Sequence, residues 1–215
     1  MNLLFKLFLD GGIIIMSVIF ICSIVALSII IERFFYYKKI SKNDEKIVER
    51  IVNAINHGRY DEALAICENM PTPVTNLMKA GINHREFSDS QIQEYIKDAA
   101  SLEIPKLEKF LTTLGTIASI APLLGLLGTV TGNMEAFGVI GTGAGLGNME
   151  QLAQGISKAL LTTAFGLIVA IPATIFYNHL TNKVNNMILQ LEIKANELVQ
   201  LLLKRKTGGR DGNKI

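Results

Sequence analysis

The chain has 215 residues, of which 49% are hydrophobic and only 19% are charged. Soluble domains are nearer a quarter charged, so this composition argues against an ordinary soluble protein. The net charge is +2, and no basic run stands out as a nucleic-acid-binding patch. The two cysteines, Cys22 and Cys67, fall in segments of different character, so a disulfide between them is not expected.

The charged residues leave three long uncharged gaps, at 11–31, 110–134 and 159–182, which are 21, 25 and 24 residues long. About 20 apolar residues are needed to cross a bilayer as a helix, so each gap predicts a transmembrane helix. All three are too long and too uniformly apolar for barrel strands. The first gap exceeds a usual signal-peptide core and no small-residue cleavage site follows it, which favours a membrane helix over a cleaved signal.

The distribution of Lys and Arg predicts the orientation. Twelve lie within 32–109 and seven after Thr181, whereas the N-terminal segment and the segment 135–158 hold one each. The positive-inside rule then places 32–109 and the C-terminal tail in the cytoplasm and the N-terminus outside.

The segment 32–109 has helical character throughout. A helix is expected from Glu32 to about Asn56, continuing the first span, and His57-Gly58 should end it. Further helices are predicted over 59–69 and 74–83, separated by the turn 71–73. Ser88 or Asp89 can cap a long helix that leads into the second span, with a local bend at Pro105. After Asn182, apolar residues at helical spacing predict that the third span continues as a helix; they are Val184, Ile188, Leu191 and Ala195.

Two spans carry faces of small residues. On the second, the residues that share a face at spacings of three and four are Gly125, Gly128, Thr129 and Gly132. The matching face of the third span comprises Ala159, Thr163, Gly166, Ala170, Ala173 and Tyr177, with Thr162 beside it. Such faces let membrane helices approach closely, and close packing alone would account for the glycines.

Thr129 and Thr163 should lie at similar depth in the outer half of the membrane, by the helical rise from Lys109 and Lys158. Two hydroxyls at one depth could form a polar constriction, although each could equally bond its own backbone. No Asp, Glu, Lys or Arg lies within any span, yet a proton path normally needs a titratable relay. Unless Glu135 or Lys158 enters from the outer edge, either the ion-pathway interpretation is wrong or a partner subunit supplies the carboxylate.

Other chemistry is not indicated. The glycine-rich stretch 141–147 lacks the preceding strand and the Lys-Ser/Thr of a phosphate loop, and a flexible hairpin between spans is expected instead. The histidines are isolated, and no catalytic triad, paired carboxylates or metal-ligand spacing is present. The sequence therefore predicts neither an enzyme nor a bound cofactor.

The stretches 121–132 (APLLGLLGTVTG) and 155–173 (GISKALLTTAFGLIVAIPA), followed by Tyr177-Asn178, resemble the ExbB/TolQ/MotA proton-channel family, above all ExbB and TolQ. The resemblance implies a homopentamer around a dimer of a single-span ExbD- or TolR-like partner that carries the membrane aspartate. It also implies that the energy of proton flow is transmitted through a TonB- or TolA-like protein. Thr129 and Thr163 match the family's pore-lining threonines. Some members have Glu in place of Lys158, so no acidic role carries over there and the charge at the pore mouth is reversed.

The predicted fold class is an all-α integral membrane protein of the bacterial inner membrane, with three transmembrane helices, long cytoplasmic helical extensions and the N-terminus outside. The predicted ion-pathway residues are Thr129, Thr163 and Thr162. The residues predicted to pack around the pore are Gly125, Gly128, Gly132, Gly166 and Pro172. Pro172 can also kink its helix. The predicted segments are a periplasmic N-terminus (1–12), transmembrane helices (13–31, 110–137 and 158–181), a cytoplasmic helical region (32–109), a periplasmic loop (138–157) and a cytoplasmic C-terminal helix and tail (182–215).

Several alternatives remain beside the motor that drives TonB-dependent import. They are a Tol-type envelope-maintenance motor, a flagellar-type stator subunit, a passive membrane scaffold and a solute transporter. Flagellar-type stator subunits are similar to proteins with four membrane spans, whereas three spans are predicted in this chain. A transporter would more often show inverted repeats and charged or broken mid-membrane helices.

Overall fold

The structure, a computed structural model, describes residues 13–41, 44–141 and 149–211. The regular secondary structure in this part of the chain is helical, which confirms the predicted all-α class there. The helices in chain order are α1 (Ile13–Ser41), α2 (Asp44–Asn56), α3 (Tyr60–Asn69), α4 (Pro73–Asn83), α5 (Asp89–Glu108), α6 (Leu111–Gly141) and α7 (Met149–Asp211).

Three helical stretches are long and apolar enough to cross a membrane. They lie within Ile13–Asn56, Asp89–Gly138 and Leu152–Lys204, and they contain the three predicted spans. Helix α7 has 63 residues, or about 95 Å at 1.5 Å per residue. It continues far beyond the uncharged segment, as the apolar spacing after Asn182 predicts.

The chain divides into two compact units, and the first contains the described residues of 1–33 together with 110–180. Its interior is built largely from small and medium-sized side chains; those buried on α6 and α7 are Leu111, Leu114, Ile117, Ala118, Ala121, Ala136, Ala159, Ala170, Ala173 and Leu180. Large apolar side chains are exposed instead, among them Ile14 at 82% and Met134 at 70%. An apolar surface of this extent suits contact with lipid or with other membrane helices.

The second unit contains 34–109 and the part of the chain from 181 onward, so it is built from α2 to α5, the end of α1 and the later half of α7. Its core consists of large aliphatic side chains: Ile51, Ile55, Leu77, Ile82, Ile92, Ile96, Leu107, Val184 and Leu198. The apolar positions predicted after Asn182 divide, because Val184 and Leu191 are buried whereas Ile188 and Ala195 are half-buried. Cys67 is a buried free thiol in α3.

The predicted helix ends are confirmed in this second unit. Helix α2 ends at Asn56, and Gly58 turns the chain with a φ of 75°, a conformation that glycine adopts without strain. Thr72 caps α4, where its hydroxyl accepts from the Thr75 N–H at 3.3 Å and Pro73 occupies the first turn. Ser88 is the N-cap of α5, and its own N–H donates to the Gln91 side chain at 3.2 Å.

The junction between α5 and α6 differs from the prediction. Helix α5 runs through Pro105 to Glu108, and the predicted long helix that leads into the second span is interrupted at Lys109 and Phe110. Phe110 has a φ of 65°, in the left-handed region that a bulky residue rarely adopts. Near the end of α5, the Tyr37 hydroxyl of α1 donates to the Leu107 carbonyl at 2.7 Å. This bond satisfies one of the carbonyls that a helix end leaves without an intrahelical partner.

The stretch 138–157, predicted as the periplasmic loop between the second and third spans, has helical ends. Helix α6 extends to Gly141 and α7 already begins at Met149. Residues 149–154 favour a helix because they combine Glu, Gln, Leu, Ala and Met, which are good helix formers. The predicted flexible hairpin at 141–147 lies, apart from Gly141, outside the described residues.

Candidate ion pathway

Helices α6 and α7 run antiparallel and meet along their small-residue faces, called here the seam. A Cβ added at Gly166 would lie 2.7 Å from the Ala121 carbonyl oxygen and 3.0 Å from the Gly125 Cα. A Cβ added at Gly125 would lie 3.0 Å from the Thr163 Cα. The two backbones therefore touch at this level, and only glycine leaves room for that approach.

Gly128 forms a hole that Thr162 fills. A Cβ added at Gly128 would overlap the Oγ1 and Cβ atoms of Thr162. Thr162 is 1% exposed, and its hydroxyl donates to its own helix, at 2.9 Å from the Ala159 carbonyl oxygen. Thr162, which the sequence predicts among the ion-pathway residues, is thus enclosed between the two helices within this chain.

Toward the end of α6 the seam continues through residues that the sequence analysis partly missed. A Cβ added at Gly132 would lie 2.8 Å from the Ala159 Cβ. One turn further on, a Cβ added at Gly155 would lie 2.8 Å from the Ala136 Cβ. Gly155 lies four residues before Ala159 and Ala136 lies four after Gly132, so extending the helical spacing by one turn would have found both.

Thr129 and Thr163 come together at the edge of the seam. Their hydroxyl oxygens are 3.4 Å apart, and both residues are half-buried. The Thr163 hydroxyl also lies 2.8 Å from the Gly125 carbonyl oxygen, and the Thr129 hydroxyl lies 2.7 Å from the Leu126 carbonyl oxygen. The predicted proximity of the two threonines is thus present. Thr129 also makes the competing bond to its own helix, whereas the 2.8 Å bond of Thr163 crosses to α6.

This arrangement determines what the two hydroxyls can bind. A threonine hydroxyl has one hydrogen and two acceptor lone pairs. When each hydrogen is donated to a carbonyl, both oxygens remain available as acceptors. The pair can then hold a group that carries a proton, such as a water molecule or a neutral carboxylic acid. Rotation of either hydroxyl would let it donate instead to an ionised carboxylate.

Glu135 and Lys158 form an ion pair across the seam, with Lys158 Nζ 2.7 Å from Glu135 Oε2. The Lys158 side chain is 31% exposed and that of Glu135 is 60% exposed. The resemblance had suggested a reversed charge at this level because a lysine replaces an acid. Within this chain the lysine is neutralised by Glu135, so the local charge is balanced.

Pro172, which the sequence predicts to pack around the pore, is exposed on the surface of this single chain. Its neighbours Ala170 and Ala173 are buried, at 3% and 1% exposure. Helix α7 continues through Pro172 without interruption. Among the described residues, His, Cys, Asp and Glu side chains form no group of three that could hold a metal ion.

Comparison with known proteins places this helix pair in a family. The sequence pattern of the MotA/TolQ/ExbB proton channel family matches residues 69–193, which is more than half of the chain. The chain belongs to the MotA/TolQ/ExbB proton channel family. The match includes α6 and the part of α7 that contributes to the seam, so the threonine pair and the Glu135–Lys158 pair both lie inside it. The protein is therefore a membrane proton-channel subunit with three candidate spans.

Named relatives come from both the ExbB and the TolQ branches of the family. The chain is 31% identical over 178 residues to the putative biopolymer transport protein ExbB-like 1 of Synechocystis, covering 81% of this chain and 69% of the relative. It is 46% identical over 99 residues to the biopolymer transport protein ExbB of Aquifex aeolicus, covering 46% and 66%. It is 45% identical over 87 residues to the Tol-Pal system protein TolQ of Haemophilus influenzae, covering 40% and 38%.

Proposed function

We propose that this chain is the channel-forming subunit of an ExbB-type proton-driven motor in the bacterial inner membrane. Five copies surround a dimer of a single-span, ExbD- or TolR-like partner, and proton flow drives work at the outer membrane through a TonB-like protein. The N-terminus lies outside, and α2 to α5 with the later half of α7 lie in the cytoplasm. The Lys and Arg distribution supports this orientation.

The observation that carries the proposal is the threonine pair. Thr129 and Thr163 place two hydroxyl oxygens 3.4 Å apart on a half-buried edge of a helix pair whose segments 110–134 and 159–182 contain no Asp, Glu, Lys or Arg. A carboxylate from the partner, seated beside them, would find hydrogen-bonding groups in both of its protonation states. Such groups, with water, lower the cost of charge inside the membrane.

A Tol-type motor acting through a TolA-like protein is the second candidate, and the 45% identity to a TolQ protein favours it. The alignment with the Aquifex ExbB extends over 66% of that relative, whereas the alignment with the Haemophilus TolQ extends over 38%. This difference supports the ExbB type. Deletion of the gene distinguishes the two candidates. Loss of uptake by TonB-dependent transporters indicates the ExbB type, whereas increased sensitivity to detergents, a sign of envelope damage, indicates the Tol type.

The test of the ion path is proton flux in vesicles that contain both subunits. The double variant Thr129→Val/Thr163→Val keeps side-chain shape and removes both hydroxyls. Hydrogen bonds to charged groups contribute about 1.5–3 kcal/mol each, so flux should fall about tenfold or more. The Thr→Ser pair should retain much of the flux. Native mass spectrometry should find five copies in every case, which separates loss of the path from loss of assembly.

Thr131→Val is the matched control. Its hydroxyl also donates to its own helix, at 3.1 Å from the Leu127 carbonyl oxygen, and it is exposed away from the threonine pair. Its removal should leave flux unchanged. If the double valine variant assembles as five copies and conducts like the parent, the paired threonines are packing residues and the proposed path is wrong.

A further inference from the structure

Helices α6 and α7 could pack against each other along the seam in more than one register. Glycines recur on α6 at 125, 128 and 132, and each lies in close contact with α7. Sliding α7 by about one turn would move Thr162 from the hole at Gly128 to the one at Gly125 or Gly132. A small side chain fits over any of these glycines, so close packing does not distinguish the registers. Some other contact must select the one observed.

Unlike the recurring glycines, the Glu135–Lys158 pair can form in only one register of the two helices. Glu135 is the only acidic residue in α6, and Lys158 is the only Lys or Arg of α7 before Lys183. They meet at 2.7 Å in the observed register. A slip of one turn moves α7 by about 5.4 Å and separates these two charges, with no second ion pair to replace the first.

The same register aligns the threonine pair. Glu135 lies six residues after Thr129 on α6, and Lys158 lies five residues before Thr163 on α7. In antiparallel helices these offsets correspond to about 9 and 8 Å along the axis, so one alignment satisfies both pairs. Single polar contacts of this kind fix register in other helix pairs, where apolar packing alone leaves alternatives.

We infer that Glu135 and Lys158 are positioning residues, a register lock that holds α7 against α6 so that Thr163 meets Thr129. The consequence for proton flow rests on the proposed ion path, whereas the lock itself concerns only the helix pair. Because Lys158 is about two-thirds buried and adjoins an uncharged span, its attraction to Glu135 is screened less than in a fully exposed pair.

Disulfide trapping measures the register directly in the assembled protein. In a background with Cys22→Ala and Cys67→Ala, the pair Thr129→Cys/Thr163→Cys reports the observed register, because the parent oxygens are 3.4 Å apart. Two further pairs report slips of one turn in either direction: Thr129→Cys/Leu167→Cys and Thr129→Cys/Ala159→Cys. The loss of free thiols on the denatured monomer band after oxidation measures the disulfides formed within one chain.

Adding Lys158→Met removes the charge and keeps the length of the side chain. The yield of the observed-register disulfide should fall about fivefold, the upper range for one ion pair, and that of a slipped pair should rise. Glu135→Gln should act in the same way from the other helix. The exchanged pair Glu135→Lys/Lys158→Glu should restore the parent pattern, because it reverses the charges and keeps their attraction.

The outcomes separate the lock from the proposed function. An unchanged disulfide pattern in Lys158→Met and Glu135→Gln, or failure of the exchanged pair to restore it, overturns the lock whatever the flux is. A pattern that slips and is restored by the exchange establishes it. Flux is measured in the same charge variants carrying the native threonines. If the register slips and partner-dependent flux is nevertheless normal, the lock stands and the threonine path is refuted.

Discussion

The fit of Thr162 into the hole at Gly128 gives a quantitative test of the helix pair. The perturbation is Gly128→Ala, which places a Cβ where it overlaps Thr162. The control is Gly138→Ala on the same helix, since a Cβ there meets no atom within 4 Å. Both changes gain the same helix-propensity term, about 0.5–1 kcal/mol, so their difference isolates the overlap.

Overpacking a tight contact costs about 1–3 kcal/mol, and this is the expected difference in unfolding free energy between the two variants. For a chain of this size, 1 kcal/mol shifts the unfolding midpoint by about 2–4 °C. Gly128→Ala should therefore unfold roughly 2–12 °C below Gly138→Ala. The midpoint is read from the intact complex by size-exclusion chromatography after heating.

A second substitution links the effect to Thr162. Thr162→Gly removes every side-chain atom that the new methyl group would overlap, whereas Thr162→Ala leaves the overlapping Cβ. The cost of Gly128→Ala should shrink in the Thr162→Gly background and persist in the Thr162→Ala background, a coupling of about 0.5–3 kcal/mol. Equal stability of Gly128→Ala and Gly138→Ala would refute the close approach of α6 and α7 at this level.

Two further predictions concern the orientation and the second unit. In intact cells a membrane-impermeant thiol reagent should label Gly143→Cys and not Ser88→Cys; labelling of both from the same side would reject the proposed orientation. Burial raises the pKa of the Cys67 thiol to about 11 from 9.0. The unfolded chain therefore loses this proton first, so the contribution of the Cys67 thiol to stability should be constant below pH 9 and decline as the pH rises from 9 to 11. Cys67→Ala should remove this part of the decline in denaturant titrations, and an equal decline in both proteins would show that the thiol does not contribute.

The sequence predicts the features of this fold that depend on local chemistry. Uncharged segments of 21 to 25 residues identify the membrane-length helices because charge is so costly in a bilayer. Gly58, Pro73 and Ser88 identify helix ends because each satisfies a local requirement of the backbone. The small-residue faces follow from helical spacing alone, so the sequence predicts most residues of the seam.

Features that depend on contacts between helices are not readable in this way. Phe110 has no sequence signal for a positive φ, and its contact with Arg33, whose guanidinium lies 5.6 Å from the centre of the Phe110 ring, is equally absent from any local pattern. The interruption at Lys109 and Phe110 likewise has no local sign, whereas Pro105, the breaker residue in this stretch, lies inside a continuous helix. Similarly, Thr162 and Thr163 are neighbours with the same side chain, and only the path of α6 distinguishes the packed one from the one that meets Thr129.

The close approach of α6 and α7 bears directly on how a threonine pair could serve proton transfer. The shared contact between Thr163 and the Gly125 carbonyl exists only because neither Gly125 nor Gly166 has a side chain to hold the backbones apart. The glycines therefore set the position of the hydroxyls as well as the stability of the helix pair. Substitution at Gly166 should displace Thr163 from Thr129 before it separates the subunits. Loss of flux with retained assembly in a Gly166→Ala variant is thus expected from the same geometry that places the two oxygens 3.4 Å apart.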